Sequence, residues 1–208
     1  GIVLIPAFAR GRSQVVALLL RRLMLARRIP EVPIHIDSPM AIDATAVYSR
    51  HMYDSNLDKE ITLDGRNRLF PFKVHLHRTV HESKQLNNLR GPRVIIAASG
   101  MMTGGRVIHH LKRRLPNHHN LVLLTGYQAE GTRGRALLDG ARSLKIHGRH
   151  VPIKCRALSV HGFSGHGERD IWLNPPPLPL TTRELDRVFE LPYTRQPHSA
   201  YAGSNIPA

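Results

Sequence analysis

The sequence predicts an α/β fold, a three-layer sandwich on a mainly parallel sheet, and three observations predict it. Apolar runs of buried-strand length alternate with segments of helical period along the first two thirds of the chain. Gly, Pro and Ser residues punctuate the joints between them. The 208 residues are 41% hydrophobic, enough to fill a core with helices on both faces of such a sheet.

Element by element, Ile2 to Ile5 reads as a buried strand. After Pro6 to Arg12, Ser13 is a plausible cap for a helix carried by Val15, Val16, Leu18, Leu19, Leu23 and Met24 and ending near Arg28 in basic residues that suit its dipole. Ile34 to Ile36 forms a short strand. Asp37-Ser38-Pro39 then combines cap chemistry with an N1 proline at the start of a second helix reaching about Tyr53. Between Asp54 and Asn88 the chain is polar and mixed, with a strand near Lys73 to Leu76 and a short helix around Glu82 to Leu89. Val94 to Ala98 is the clearest buried strand, and a Gly-rich turn separates it from the helical pattern Val107, Ile108, Leu111, Leu115. Leu121 to Leu124 repeats the strand and Gly131 to Leu138 the helix. After Gly140 the period falls to two, with Val151, Ile153, Cys155 and Ala157 facing one way, as expected of a β-hairpin around Gly148. From Asn174 the chain is rich in proline, and little packed structure is expected beyond about Trp172.

Thirty Lys and Arg against fifteen Asp and Glu give a formal charge of +15. Such an excess attracts polyanions across a Debye length of roughly 8 Å, which puts nucleic acid first among partners; nonspecific attraction to acidic surfaces is the plain alternative. One cysteine, Cys155, makes no internal disulfide, so a reducing, cytoplasmic setting is expected. The longest apolar run, Val15 to Leu20, is far short of the ~20 residues that cross a bilayer, so no membrane partner is expected. The first residue is Gly1 and leads at once into an apolar strand, which suggests a chain starting in mid-domain.

Two Gly-rich turns are candidates for chemistry. Ser99-Gly100-Met101-Met102-Thr103-Gly104-Gly105 lies between a strand and a helix start, where backbone N-H groups could cradle a phosphate; equally, glycine there could serve only the turn's dihedrals. Its spacing matches neither the dinucleotide fingerprint nor the P-loop, which disfavours a nucleotide cofactor. Gly162-Phe163-Ser164-Gly165-His166-Gly167 sets a reachable histidine among glycines, able to ligate zinc, move a proton or bind phosphate, against the alternative of a lone surface histidine. His75 and His77 share one strand face, a possible start to a metal site, but Thr79 and Val80 follow where an Asp-His would complete a binuclear motif. His109-His110 and His118-His119 read as solvated or phosphate-facing. Aromatic residues make up only 5%, which argues against a base-stacking platform.

Five motifs in fixed order carry a family resemblance: Ile5-Pro6-Ala7-Phe8-Ala9 with Gly11-Arg12 and Gln14; Ile34-x-Ile36-Asp37-Ser38-Pro39-Met40-Ala41; Ala98 to Arg106; Gly126-Tyr127-Gln128-Ala129-Glu130-Gly131-Thr132; and Phe163-Ser164-Gly165-His166. Together they resemble the β-CASP branch of metallo-β-lactamase-fold nucleases, the group of bacterial RNase J and the mRNA 3′-end cleavage endonuclease, over about residues 1–173. The resemblance implies most of a β-CASP domain over residues 1–140, a returning segment of the metallo-β-lactamase-like domain over 141–173, and a divergent tail over 174–208. It implies RNA as partner, with a homodimer left open, and a binuclear zinc centre whose activated water attacks an RNA phosphodiester.

In that family His166 would contact the scissile phosphate or serve in proton transfer, with Ser164 a phosphate ligand beside it. Asp37, Ser38, Ser99, Gly100 and Met101 would line the cleft, and Arg12 would brace the first helix or meet phosphate. The family's zinc-binding His-x-His-x-Asp-His segment is not in the sequence. A Val-His-Gly-Glu strand is also expected roughly twenty residues after His166, but Arg187-Val188-Phe189 runs into Glu190-Leu191-Pro192. The chain alone is therefore expected to be inactive. A non-catalytic RNA-binding or regulatory module is the alternative, and a small-metabolite hydrolase a third that the charge opposes.

Overall fold

A computed structural model describes residues 1–50 and 73–160, with side chains in the second helix described as far as Tyr48. The strands are β1 (Ile2–Pro6), β2 (Ile34–Asp37), β3 (Val74–Leu76), β4 (Arg93–Ala97), β5 (Leu121–Leu124), β6 (Ser143–Ile146), β7 (Arg149–Pro152) and β8 (Arg156–Ser159). The helices are α1 (Arg12–Leu25), α2 (Pro39–Arg50), α3 (Val80–Gln85), α4 (Arg106–Arg114) and α5 (Arg133–Leu138), with a 3-10 turn at Leu86–Asn88. Tyr53, the proline-rich tail, Ser164 and His166 lie outside the described residues.

Six strands form one sheet in the order β3-β2-β4-β1-β5-β8, every pair of neighbours parallel. The predicted α/β class with a mainly parallel sheet is what the chain adopts. Burial explains why: all five residues of β4 and all four of β2 are buried, β4 as an apolar run after Arg93 and β2 as two isoleucines alternating with His35 and Asp37.

Alternate residues divide the core between the two faces. On one, Ile5, Ala7, Ile34, Val94 and Ile96 pack against Val16 and Ala17 of α1, and Ile36 packs against Ala41 and Ile42 of α2. On the other, Leu4, Ile95, Val122 and Leu124 meet Val107, Ile108 and Leu111 of α4 and Leu115 at its C-cap, together with Leu137 of α5. That makes three layers.

Three local expectations change. Ser13 does not cap α1: the helix starts one residue earlier behind Gly11, at φ 76°, and the Ser13 hydroxyl donates to Phe8 O at 2.8 Å. The helix before β4 opens at Val80 through a capping box, in which Thr79 Oγ1 accepts from Glu82 N–H and Glu82 Oε2 accepts from Thr79 N–H. The alternating run from Val151 to Ala157 keeps its alternating burial but splits between two sheets. Its first part pairs antiparallel with β6 in the expected hairpin around Gly148, and its last part, β8, joins the main sheet beside β5. Leu144, Ile146 and Val151 of the hairpin share the core of α4, so among the described residues that core runs without interruption across residue 140.

Candidate functional site

In a parallel sheet every strand points the same way, so the loops that leave the strand ends collect along one edge, where open α/β sheets hold their ligands. Four quoted motifs fall on that edge: the turns after β1, β2, β4 and β5.

The turn after β4 closes on itself. Ser99 N–H donates to Gly104 O at 3.3 Å, Met102 N–H to Ser99 O at 3.2 Å and Thr103 N–H to Ser99 Oγ at 3.2 Å. Gly105, at φ 77°, lets the chain turn into α4; a Cβ there would stand 2.5 Å from Ala98 O. These amides serve the turn, in keeping with the reading of a tight strand-to-helix connection. Ser99 and Met101 remain half-buried at its surface, while Gly100 is buried against the ring of Phe8.

Gln128 joins this turn to the next. It is buried, and its Nε2 donates to Gly100 O at 3.2 Å and Gly126 O at 3.0 Å. Gly134 is the space into which Gln128 fits, since a Cβ at 134 would lie 1.6 Å from Gln128 Oε1. Arg133 adds a second tie through Nη1–H donation to the carbonyls of Met102 and Thr103. Arg12, half-buried at the start of α1, comes alongside, its Nε 3.9 Å from the position a Cβ would take at Gly126. Gln14, also buried, bonds Ala9 O, Ala41 O and Thr45 Oγ1 and fixes the first turn to α2. Arg12, Ser99, Gly100 and Met101 are thus gathered on one stretch of edge. The last described residue, Val160, donates its N–H to Leu124 O at 2.8 Å, so β8 leaves the sheet at that same edge.

Asp37 and Ser38 are placed differently. Ser38 is buried and caps α2, its hydroxyl accepting from Ala41 N–H. Asp37 is fully buried. Arg106 donates to its Oδ1 at 2.7 Å, and Oδ2 receives Ser83 Oγ at 2.5 Å and His110 Nε2 at 2.6 Å. Burial alone would raise the Asp37 pKa, but the bonds from His110, Ser83 and Arg106 outweigh it and hold the carboxyl below its ordinary value. Both its oxygens are thus taken by protein partners. Arg106 also donates to the carbonyls of His77 and Arg78, pinning the start of α4 to the ends of β2 and β3.

His110, read from sequence as solvated or phosphate-facing, is 1% exposed. Burial lowers its pKa, the bond to Asp37 opposing this only in part, so a neutral ring donates Nε2–H to the carboxylate. Sequence reasoning missed His110 and Ser83 as partners of Asp37. The helical spacing that puts Arg106 and His110 on one stripe of α4 was the available signal.

His75 and His77 do share a side of β3, and His35 of β2 joins them. The rings of His35 and His75 stack at 4.8 Å, and His35 Nδ1 lies 3.0 Å from His77 Nε2. Burial, reinforced by the neighbouring His75 and His77, depresses the His35 pKa to about 4. Among the described residues no group of three or more His, Cys, Asp or Glu side chains is placed to hold a metal ion.

Comparison with known proteins follows this geometry. Residues 13–137 match the Beta-Casp domain family. The chain is 36% identical over 181 residues to Ribonuclease TTHA0252 of Thermus thermophilus, covering 85% of this chain and 42% of that protein. It is 37% identical over 180 residues to Transcription termination factor FttA of Methanosarcina mazei, 81% of this chain and 28% of that protein. It is likewise 37% identical over 168 residues to an RNase J-like protein of Methanocaldococcus jannaschii, 81% and 38% of the two lengths. The chain therefore spans less than half the length of each of these relatives.

Proposed function

The chain belongs to the β-CASP family, and on that premise we propose that it supplies the RNA-holding lid, with His166, of a zinc-dependent RNA phosphodiester hydrolase. The observation that carries this reading is the convergence of Arg12, Ser99, Gly100 and Met101 on one edge of the sheet. His166 lies six residues beyond Val160 in the sequence, within about 20 Å of chain reach from that edge. The +15 charge suits a polyanion, and relatives named as ribonucleases favour RNA. On this reading Arg12 meets a backbone phosphate, the β4 and β5 turns hold the strand in place, and His166 handles the proton at the scissile phosphate. Zinc would supply an activated water in such an enzyme, but nothing among the described residues fits that ion. The same observation favours the second reading, in which the chain grips RNA without cutting it.

The test is the binding of a short single-stranded RNA by this chain, followed by fluorescence anisotropy across a salt series, with zinc stoichiometry and RNA cleavage measured alongside. Salt-dependent binding is expected, with a slope reduced by about one in Arg12→Ala and no comparable change in Arg28→Ala. Zinc should bind at fewer than two ions per chain, without turnover. Equal effects of the two arginine substitutions would overturn the edge site. Tight binuclear zinc with turnover would refute the expected inactivity.

A further inference from the structure

Beside the ends of β2 and β3 to which Arg106 is tied, α3 and α4 face each other across a cleft of about 450 Å³. On α4 its lining includes Arg106, His109, His110 and Arg113, spaced i, i+3, i+4 and i+7, so they form one stripe about 10 Å long. Lys84 of α3 faces them, and no Asp or Glu is among the described residues of the lining. The nearest carboxylate in the hydrogen-bond pattern is Asp37, already shared by Arg106, His110 and Ser83.

Two further guanidiniums stand behind the cleft at Asn87. Arg114, 4% exposed, donates to Asn87 Oδ1, and Arg93, 3% exposed, donates to the carbonyls of Leu86 and Gly91. Those acceptors are neutral, so the local positive charge exceeds the single buried carboxylate. Two buried nitrogens here are also without a hydrogen-bond partner among the described residues, Nδ1 of His110 in the lining and Nε of Arg114 behind it. Buried polar atoms seldom stay unpartnered, and here both belong to cations or to a ring that becomes one on protonation.

We propose that this cleft is a second phosphate-binding site, distinct from the stretch of edge that gathers Arg12, Ser99, Gly100 and Met101. A phosphate brings several acceptor oxygens and negative charge to a concave wall that carries Lys84, Arg106, Lys112 and Arg113. His110 directs Nε2–H to Asp37, and an anion in the cleft would favour a second proton at its Nδ1. The stripe is long enough to meet more than one phosphate of a strand. A free phosphorylated small molecule presents the same chemistry, and the cleft lies within the roughly 300–1,000 Å³ typical of ligand pockets.

The assay follows the imidazole NMR signals of His109 and His110 while the chain is titrated, at constant ionic strength, with inorganic phosphate, a mononucleotide and a short single-stranded oligoribonucleotide. Saturable shifts of both rings are expected with at least one probe. Tighter binding of the oligoribonucleotide than of the mononucleotide assigns the site to a strand; the reverse order assigns it to a free phosphorylated molecule. Lys84→Glu combined with Arg113→Glu should weaken binding at least about tenfold, since both side chains are exposed and line the cleft. Arg27→Glu combined with Arg28→Glu carries the same change in net charge beyond α1, the helix on the opposite face of the sheet, and should weaken it by less than about threefold. Unchanged thermal melts confirm that both double variants fold. Histidine signals that do not move with any probe, or equal losses in the two double variants, overturn the proposal.

Discussion

Replacing Asp37 by Asn removes one charge and keeps the shape, which makes it a sharp probe of the polar cluster beneath α4. In the native chain the carboxylate accepts three bonds of 2.5–2.7 Å while fully buried. Stripping one partner from a buried ion pair costs about 3–5 kcal/mol. The lower end applies, because Arg106 retains its bonds to the carbonyls of His77 and Arg78, and His110 has an escape. Its Nδ1 has no partner, so the ring can move its proton there and accept at Nε2 from the new amide. We therefore expect Asp37→Asn to cost about 3 kcal/mol, which for a chain of this size lowers the melting temperature by roughly 6–12 °C. Denaturant unfolding measures the free energy, and imidazole NMR shows which nitrogen of His110 carries the proton, Nε2 in the parent and Nδ1 in the variant. Stability within about 0.5 kcal/mol of the parent, with the His110 tautomer unchanged, would mean that the carboxylate does not hold this cluster together.

Stability should also depend on the histidine group of β2 and β3. His35 binds a proton near pH 6.5 when unfolded but only at about 4 when folded, so its contribution is complete above about 6.5 and is lost as pH falls toward 4. The loss approaches roughly 3 kcal/mol at 1.36 kcal/mol per unit, and unfolding at about pH 7.5 and pH 4.5 should show a smaller acid loss in His35→Gln. Gly105→Ala forces a side chain onto φ 77° and ψ −171° with a Cβ 2.5 Å from Ala98 O; a loss of about 3 kcal/mol in chemical denaturation is expected. Gly134→Ala displaces the Gln128 amide and frees the carbonyls of Gly100 and Gly126. It should cost about 2 kcal/mol in denaturation and weaken RNA in the anisotropy assay, while leaving phosphate binding at the α3–α4 cleft unchanged.

The strands and the parallel character of the sheet were legible because burial on both faces writes them as short apolar runs, and β4 is the plainest case; the order of the strands was not. Helix starts were less so. At α1 a glycine backbone conformation takes the place of a side-chain cap, and no side-chain pattern announces it. The fate of β8 was hidden for a different reason: strands in a hairpin and at a parallel edge share the same alternation, and only the tertiary partner separates them. At the site, the turn carrying Ser99 could be read from glycine placement, whereas Arg12 entered only through the family resemblance. His109 and His110 could not be told apart as adjacent letters, since one is exposed and the other meets Asp37 from 73 positions away.

The pairing of β1 also bears on how the molecule comes into being. This strand lies at the middle of the sheet, yet its partners in β4 stand about 90 positions later in the chain and those in β5 later still. A ribosome adding roughly 5–20 residues per second needs about 5–18 s to deliver the first of them. For that interval Ile2 to Ile5 is a sticky, unpaired strand, and closing so wide a loop makes for slow folding. A nascent chain stalled before β4 should therefore be an avid client of chaperones, and one that has cleared β5 should not.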